Sequence, residues 1–257
     1  MLTFKNVNIF FVSVLIILVA ADILYDLPFI SFVLLLFFYS LIVFYGCYYI
    51  RSNFFMKVYC EAATTNKEIA ISFDDGPALD YTPQILETLK VNNVEAAFFC
   101  IGNRIAGNEA LLKKVNDSGH IIGNHSYSHH FFFDLFSSKR ILNELRQMDK
   151  ETEKITGVKP KFFRPPYGVM NPNLKNAIQE GNYIPVGWSV RSMDTVITDE
   201  KKLLKKINKS ITPGAIFLFH DTSKTTVDIL PAFIKHVTDL GYNFVRLDKL
   251  LALEPYA

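Results

Sequence analysis

Cysteine is scarce in this chain: there are three in 257 residues, Cys47, Cys60 and Cys100, and no two of them have paired spacing. That excludes a disulfide framework and a zinc site built from thiolates. An excess of one charge is missing too, since 27 Lys and Arg face 25 Asp and Glu for a net charge of +2. No basic arm or aromatic-basic stripe disturbs this balance, so nucleic acid is not an expected partner. Internal repeats and low-complexity stretches are absent, which sets aside solenoids and disordered tails.

Long apolar runs are present, and they crowd into the first sixty residues. Phe29 to Ile50 carries no charge and is broken only by Ser31, Ser40, Gly46 and Cys47 among apolar and tyrosine residues. As a helix it reaches roughly 33 Å, enough to cross a bilayer core. Tyr45, Tyr48 and Tyr49, then Arg51, supply interfacial anchors. The earlier run Ile9 to Ala21 stops at Asp22 and is compatible with a tilted span, a re-entrant segment or a signal-peptide core ending at Val19-Ala20-Ala21. A second membrane segment follows almost at once, which favours an uncleaved first span and hence a helical hairpin. Lys5, Arg51 and Lys57 flank the pair while Asp22 and Asp26 separate its members. The positive-inside rule therefore puts both ends in the cytoplasm, by a margin of a few charges. The expected division is a membrane anchor over 1–60 and one globular domain over 61–257.

Beyond Glu68 the pattern alternates. Short apolar runs at Glu68–Phe73, Val94–Cys100, His120–Gly123, Lys161–Phe163, Ile184–Trp188, Ala215–Phe219 and Phe244–Leu247 read as buried strands. Helical stretches separate them: Thr82–Asn92, Ile105–Asp117, Lys139–Thr156, Asn173–Glu180, Glu200–Ser210 and Val227–Leu240. Thr198 or Asp199 can cap the fifth helix; Pro231 falls in the first turns of the last, and Gly241 ends it. Such alternation predicts parallel strands, either in a barrel or in an open doubly wound sheet. Polar residues gather at the carboxyl ends of many strands (Asp74 and Asp75, His125 and His129, Arg164, Trp188, His220), which favours the barrel.

Two runs carry chemistry. Ser72-Phe73-Asp74-Asp75-Gly76-Pro77 sets adjacent carboxylates at a strand end, and His125-Ser126-Tyr127-Ser128-His129 sets two imidazoles four residues apart. A turn made of Asp, Gly and Pro accounts for the first run structurally, but adjacent carboxylates repel unless a cation lies between them. If the histidines share one helical turn they face the same way, and with Asp75 they make a three-ligand metal site that leaves room for water. Asp74 is then free to take a proton from that water, whose pKa a metal lowers from about 16 toward about 7. Zinc suits two histidines and an aspartate best, with cobalt, nickel or manganese also able to bind. His220 closes the apolar run Ile216-Phe217-Leu218-Phe219 and is positioned to protonate a departing amine. Arg164, in Arg164-Pro165-Pro166-Tyr167-Gly168, is either a solvated loop residue or a guanidinium on stiff backbone that pairs with Asp74.

These runs together resemble the polysaccharide deacetylase family, the NodB-homology domain of carbohydrate esterase family 4, from about Ile69 to Leu250. The resemblance implies a distorted (β/α)7 barrel, here preceded by the N-terminal transmembrane hairpin. It implies Asp74 as catalytic base, Asp75, His125 and His129 as metal ligands, Arg164 as the residue that orients the base, and His220 as general acid. It also implies that the backbone N–H of Tyr167 helps to hold an oxyanion. One motif departs: Trp188-Ser189-Val190-Arg191-Ser192-Met193-Asp194-Thr195 has Arg191 where the family's fourth motif has its first aspartate. An arginine beside His220 would lower the imidazole's pKa, so Asp194 is the candidate to take over its tuning. Trp188 is the candidate lining for an acyl methyl group.

The resulting expectation is a membrane-anchored, divalent-metal-dependent amidohydrolase removing N-acetyl groups from the amino sugars of a glycan. Two other functions use the same residues: deacylation or deformylation of a lipid-linked amino sugar, and non-catalytic carbohydrate binding at a membrane. The complete ligand set with Asp74 and His220 speaks against the last. Phe131-Phe132-Phe133 is expected to pack beneath the histidine loop, or else to form an apolar rim facing the bilayer or a lipid-linked substrate.

Overall fold

The computed structural model describes residues 2–257. Two helices open the chain, α1 (Phe4–Tyr25) and α2 (Ile30–Tyr48), each long and apolar enough to cross a bilayer. Thr3 caps α1 by accepting from the Asn6 N–H, and Asp26, in the left-handed region, ends it. The helices pair through Phe11 against Tyr39 and through the Tyr39 hydroxyl, which donates to Asn8 Oδ1 at 2.9 Å. Most of their remaining surface is apolar and exposed.

The hairpin is not tethered by slack chain. The Phe4 N–H donates to the Phe54 carbonyl at 2.9 Å, and Phe4 packs on the rings of Phe54 and Phe55. Gly46 is required in α2 because a Cβ there would overlap the Phe54 ring. Phe54, Phe55, Val58 and Cys60 are all buried, and they join one core cluster with Leu142, Phe163 and Ile178.

From residue 68 the chain winds as β1 (Glu68–Asp74), α3 (Thr82–Val91), β2 (Ala97–Cys100), α4 (Glu109–Asp117), β3 (Ile121–Asn124), α5 (Ser138–Thr156), β4 (Phe162–Phe163) and α6 (Pro172–Gly181). It continues as β5 (Ile184–Pro185), β6 (Val190–Arg191), α7 (Glu200–Asn208), β7 (Ile216–His220), α8 (Lys224–Asp239), β8 (Asn243–Phe244) and α9 (Leu247–Leu251). All strand pairs are parallel, in the order β5-β4-β3-β2-β1-β7-β6, with β8 pairing the start of β1. The sheet curls into a distorted (β/α)7-type barrel.

Alternation along the strands decides what enters the barrel. In β1, Ile69, Ile71 and Phe73 join the large cluster under the helices, while Ala70 belongs to a separate interior cluster. Ser72 and Asp74 share the face of Ala70. In β7, Phe217 and Phe219 face the helices, so Ile216, Leu218 and His220 take the other face.

Several boundaries differ from the sequence reading. The expected strand Ile184–Trp188 is a bent segment: β5 pairs with β4, residues 186–189 cross the seam, and β6 pairs with β7. Tyr59 bridges Val186 and Glu61 bridges Ala215, so the chain leaving the hairpin helps to close the barrel. The expected helix from Ile105 starts at Glu109, because Gly107 turns the chain at φ 83°. The strand expected from Val94 begins at Ala97, and the last strand ends at Phe244, before α9. Asp199 caps α7, accepting from the Lys202 N–H. Pro231 lies in the middle of α8 and not in its first turns.

Candidate metal centre and catalytic site

Asp74 and His220 are register partners on adjacent strands, so they stand side by side at the barrel mouth. Asp74 is buried, and its Oδ1 accepts from Arg164 Nη1 at 2.6 Å. Arg164 is fully buried with every nitrogen engaged: Nε donates to Val186 O at 3.2 Å, Nη2 to Gly187 O at 2.9 Å, and Nη1 also to Ser72 Oγ at 2.9 Å. Its guanidinium lies 4.0 Å from the Phe99 ring centroid. A buried ion pair is tolerated only when its remaining hydrogen-bonding capacity is met in this way. Sequence reading missed Ser72, whose signal was its place two residues before Asp74 on the same face of a strand.

The two histidines do not lie on a helical turn, contrary to the expectation from their spacing. They sit in an irregular loop after β3, with Ser126 at φ 65° and His129 at φ 46°. A chain of hydrogen bonds shapes this loop. Asn124 Oδ1 accepts from the Ser126 N–H at 2.9 Å, and Ser126 Oγ accepts from the His129 N–H at 3.0 Å. Asn124 Nδ2 donates to the buried Asp149 of α5 at 2.8 Å, and the Tyr183 hydroxyl donates to the other oxygen of Asp149 at 2.6 Å. The sequence signal for Asp149 was a carboxylate on the buried face of an amphipathic helix.

Asp75 Oδ1 lies 3.6 Å from His125 Nε2 and 3.4 Å from His129 Nε2. These three residues form the candidate metal cluster among the described residues. The fit to a cation rests on two observations. Asp75 Oδ1 is buried without a hydrogen-bond partner, and His125 Nδ1 lies 2.8 Å from the Arg164 carbonyl. A carbonyl only accepts, so His125 Nδ1 carries a proton there, and Nε2 is the nitrogen turned toward Asp75 as a metal ligand would need. Burial and the neighbouring His125 hold the pKa of His129 down to about 4, keeping it in the neutral, ligating form.

His220 Nδ1 donates to Asp194 Oδ1 at 2.8 Å, and the His220 backbone N–H donates to Asp194 Oδ2 at 2.7 Å. Ser192 and Thr226 hydroxyls also donate to Asp194, which is buried. Burial alone would lower the His220 pKa, but the hydrogen bond and charge of Asp194, with Asp74 and Asp75 beyond, leave it raised. Arg191 is exposed, with its guanidinium 5.9 Å from the Trp188 ring centroid. Trp188 packs on Gly168, where a Cβ would come within 2.6 Å of the indole. Tyr167 has φ 60°, and its ring lies 4.8 Å from that of His129. Asp75, Ser126, His129, Tyr167 and Met193 all carry positive φ around this one mouth. Such concentrated backbone strain is a mark of functional sites. In the run after the histidines, Phe133 is fully buried as core packing requires, whereas Phe131 and Phe132 are exposed.

The sequence profile of polysaccharide deacetylases matches residues 61–186. The chain is 37% identical over 188 residues to the peptidoglycan-N-acetylglucosamine deacetylase PgdA of Listeria monocytogenes, covering 73% of this chain and 40% of that protein. It thus spans less than half the length of that relative. It is 34% identical to the peptidoglycan-N-acetylmuramic acid deacetylase PdaA of Bacillus subtilis, covering 73% of each. Among solved structures, the Bc1960 peptidoglycan N-acetylglucosamine deacetylase superposes with a TM-score of 0.74 at 29% identity, covering 78% of this chain and 95% of that one. BA3943 of Bacillus anthracis, described as a CE4 family pseudoenzyme, gives 0.70 at 27% identity, covering 74% and 67%. With matching profile, relatives and fold, the chain belongs to the polysaccharide deacetylase family, the family 4 carbohydrate esterases.

Proposed function

We propose that this protein is a membrane-anchored, divalent-metal-dependent amidohydrolase that removes N-acetyl groups from the amino sugars of a glycan. Residues 1–60 carry the anchor and 61–257 the catalytic unit, with the buried Phe54, Phe55, Val58 and Cys60 packed between them. The observation that carries this reading is the convergence of three ligand atoms and two proton-transfer groups at one mouth: Asp75, His125 and His129 beside Asp74, with His220 on the neighbouring strand.

Asp75, His125 and His129 would hold the cation, zinc being the best match to this donor set. When bound, it supplies Lewis acidity toward the acyl oxygen and acidifies water. Asp74, oriented by Arg164, takes the proton of the attacking water. The water oxygen joins the acyl carbon while the backbone N–H of Tyr167 donates to the developing oxyanion. The carbon–nitrogen bond breaks as His220 Nε2 delivers a proton to nitrogen, leaving a free amine and a carboxylate. Asp194 fixes the proton on Nδ1 of His220, so that Nε2 faces the reaction. Trp188 lines the space for the acyl methyl group.

The test is amine release from N-acetylglucosamine oligomers and from lipid-linked N-acyl sugars, with and without a chelator. Chelator-sensitive release is expected. No release from any acylated sugar would leave a non-catalytic carbohydrate-binding protein as the better description.

A further inference from the structure

Beside the site runs a second feature, a groove of 770 Å³ between the end of α2 and the turn that follows the histidines. Cys47 and Tyr48 of α2, Phe131 and Leu135 of the turn, and Tyr167 and Val169 after β4 line it. The lining is mostly apolar, and Phe131 and Leu135 are 76% and 77% exposed, an unusual expense for large apolar side chains. The groove is continuous with two other surfaces. Through Tyr48 it meets the exposed Phe44 of α2, and beside Val169 the Met170 N–H donates to the Cys47 carbonyl at 2.9 Å. Through Tyr167 it meets the ring of His129. An apolar trough therefore leads from the end of a membrane-length helix to a candidate metal ligand.

The charge of the groove narrows its occupant. No Lys or Arg lines it, and its one ionisable carboxyl, Asp134, has an Oδ1 without a hydrogen-bond partner. Burial raises the pKa of Asp134 to about 6. An anionic group placed there would lose water, gain no cation and face a carboxylate. A hydrocarbon chain meets none of these costs.

We infer that this groove holds the hydrocarbon chain of a membrane-embedded amphiphile whose N-acylated amino sugar enters the site at Asp74 and His220. This rests on the deacetylase reading and narrows its substrate from a free polymer to a lipid-borne sugar.

The test uses the full chain, zinc-loaded in amphipol, with N-acetylglucosamine glycosides bearing ethyl or octyl groups below their micelle concentrations. Each methylene that leaves water for an apolar wall is worth roughly fourfold, so kcat/KM for the octyl glycoside should exceed that for the ethyl one by at least about 100-fold. Leu135→Asp should cut this octyl-to-ethyl ratio at least about tenfold. Equal kcat/KM for the two glycosides overturns the inference. If neither is hydrolysed and N-acetylglucosamine oligomers are not either, the deacetylase reading fails; in every case a second readout still decides the groove. An octyl glycoside with a terminal diazirine should crosslink to peptides containing residues 131–135 or 167–173. Crosslinks confined to residues 4–46, or equal labelling by a diazirine alcohol without sugar, would mean that ordinary bilayer lipid fills the groove, and the assignment falls.

Discussion

Asp74 and Asp75 are neighbours in sequence with different surroundings. Asp74 is locked to Arg164, while Asp75 turns through φ 77° to place Oδ1 between two imidazoles. Asp74→Asn keeps an oxygen for Arg164 but removes the proton acceptor. Its kcat should fall by about 10²- to 10⁴-fold with bound zinc unchanged, as read from amine release and elemental analysis. An equal loss of zinc would place Asp74 among the ligands instead. Asp194 acts through His220. Because its carboxylate raises the imidazole's pKa, Asp194→Asn should move the alkaline limb of the kcat/KM profile to lower pH. An unmoved limb would remove Asp194 from that role. The same pair affects stability. A raised folded imidazole pKa stabilises fully below the unfolded value near 6.5 and fades as pH rises through the folded value. The lowered Asp194 pKa gives a contribution lost as pH falls through the folded carboxyl value. The wild-type advantage in denaturant titrations should therefore peak between these limits. The types of all these residues were readable from their runs. The run also offered Asp194 as the partner of His220, to which it is hydrogen-bonded, but that Arg191 turns to solvent beside Trp188 was not readable, because the irregular chain after it, with Met193 at φ 70°, sets those directions.

At the scale of elements, the strands announced themselves because β1, β2 and β7 are dense in apolar residues, and alternation within β1 and β7 put Ser72, Asp74 and His220 inside. The histidine loop was misread for a physical reason. An i, i+4 spacing suits a helical turn, but here Asn124 and Ser126 side chains replace the helical hydrogen bonds. The bend at residues 186–189 was equally hidden, since its pairing partners lie far away in sequence. The segment after the hairpin yields a prediction. Phe54, Phe55, Val58 and Cys60 are buried in the cluster that supports Phe163 and Met170. A chain starting at Asn53 should therefore be more stable than one starting at Glu61 by at least about 4 kcal/mol, a large part of a domain's total. Urea denaturation of the two fragments checks it. Equal midpoints would show that the linker's packing is dispensable.

Across the whole molecule, a cation held by Asp75, His125 and His129 would join the chain after β1 to the loop after β3, segments distant in the sequence. Zinc at about a thousand times its Kd should stabilise the fold by about 4 kcal/mol and raise Tm by roughly ten degrees. His125→Ala should abolish most of that rise in a thermal-shift measurement, and an unchanged rise would locate the ion elsewhere. The sequence by itself determined what could be built: a membrane-length helix from the uncharged run Phe29–Ile50, a parallel barrel from β/α alternation, and the residue types of a metal-assisted hydrolytic site. Those follow from local properties, namely apolar periodicity, turn chemistry and ligand identity. Only the tertiary structure decided how the parts meet. Gly46 lets Phe54 pack on α2, Tyr59 and Glu61 bridge the barrel seam, and Met170 ties the loop beside Tyr167 to Cys47. Each of these joins residues distant in the chain, where no local pattern records the partner, and together they set the site's mouth at the end of a membrane-length helix.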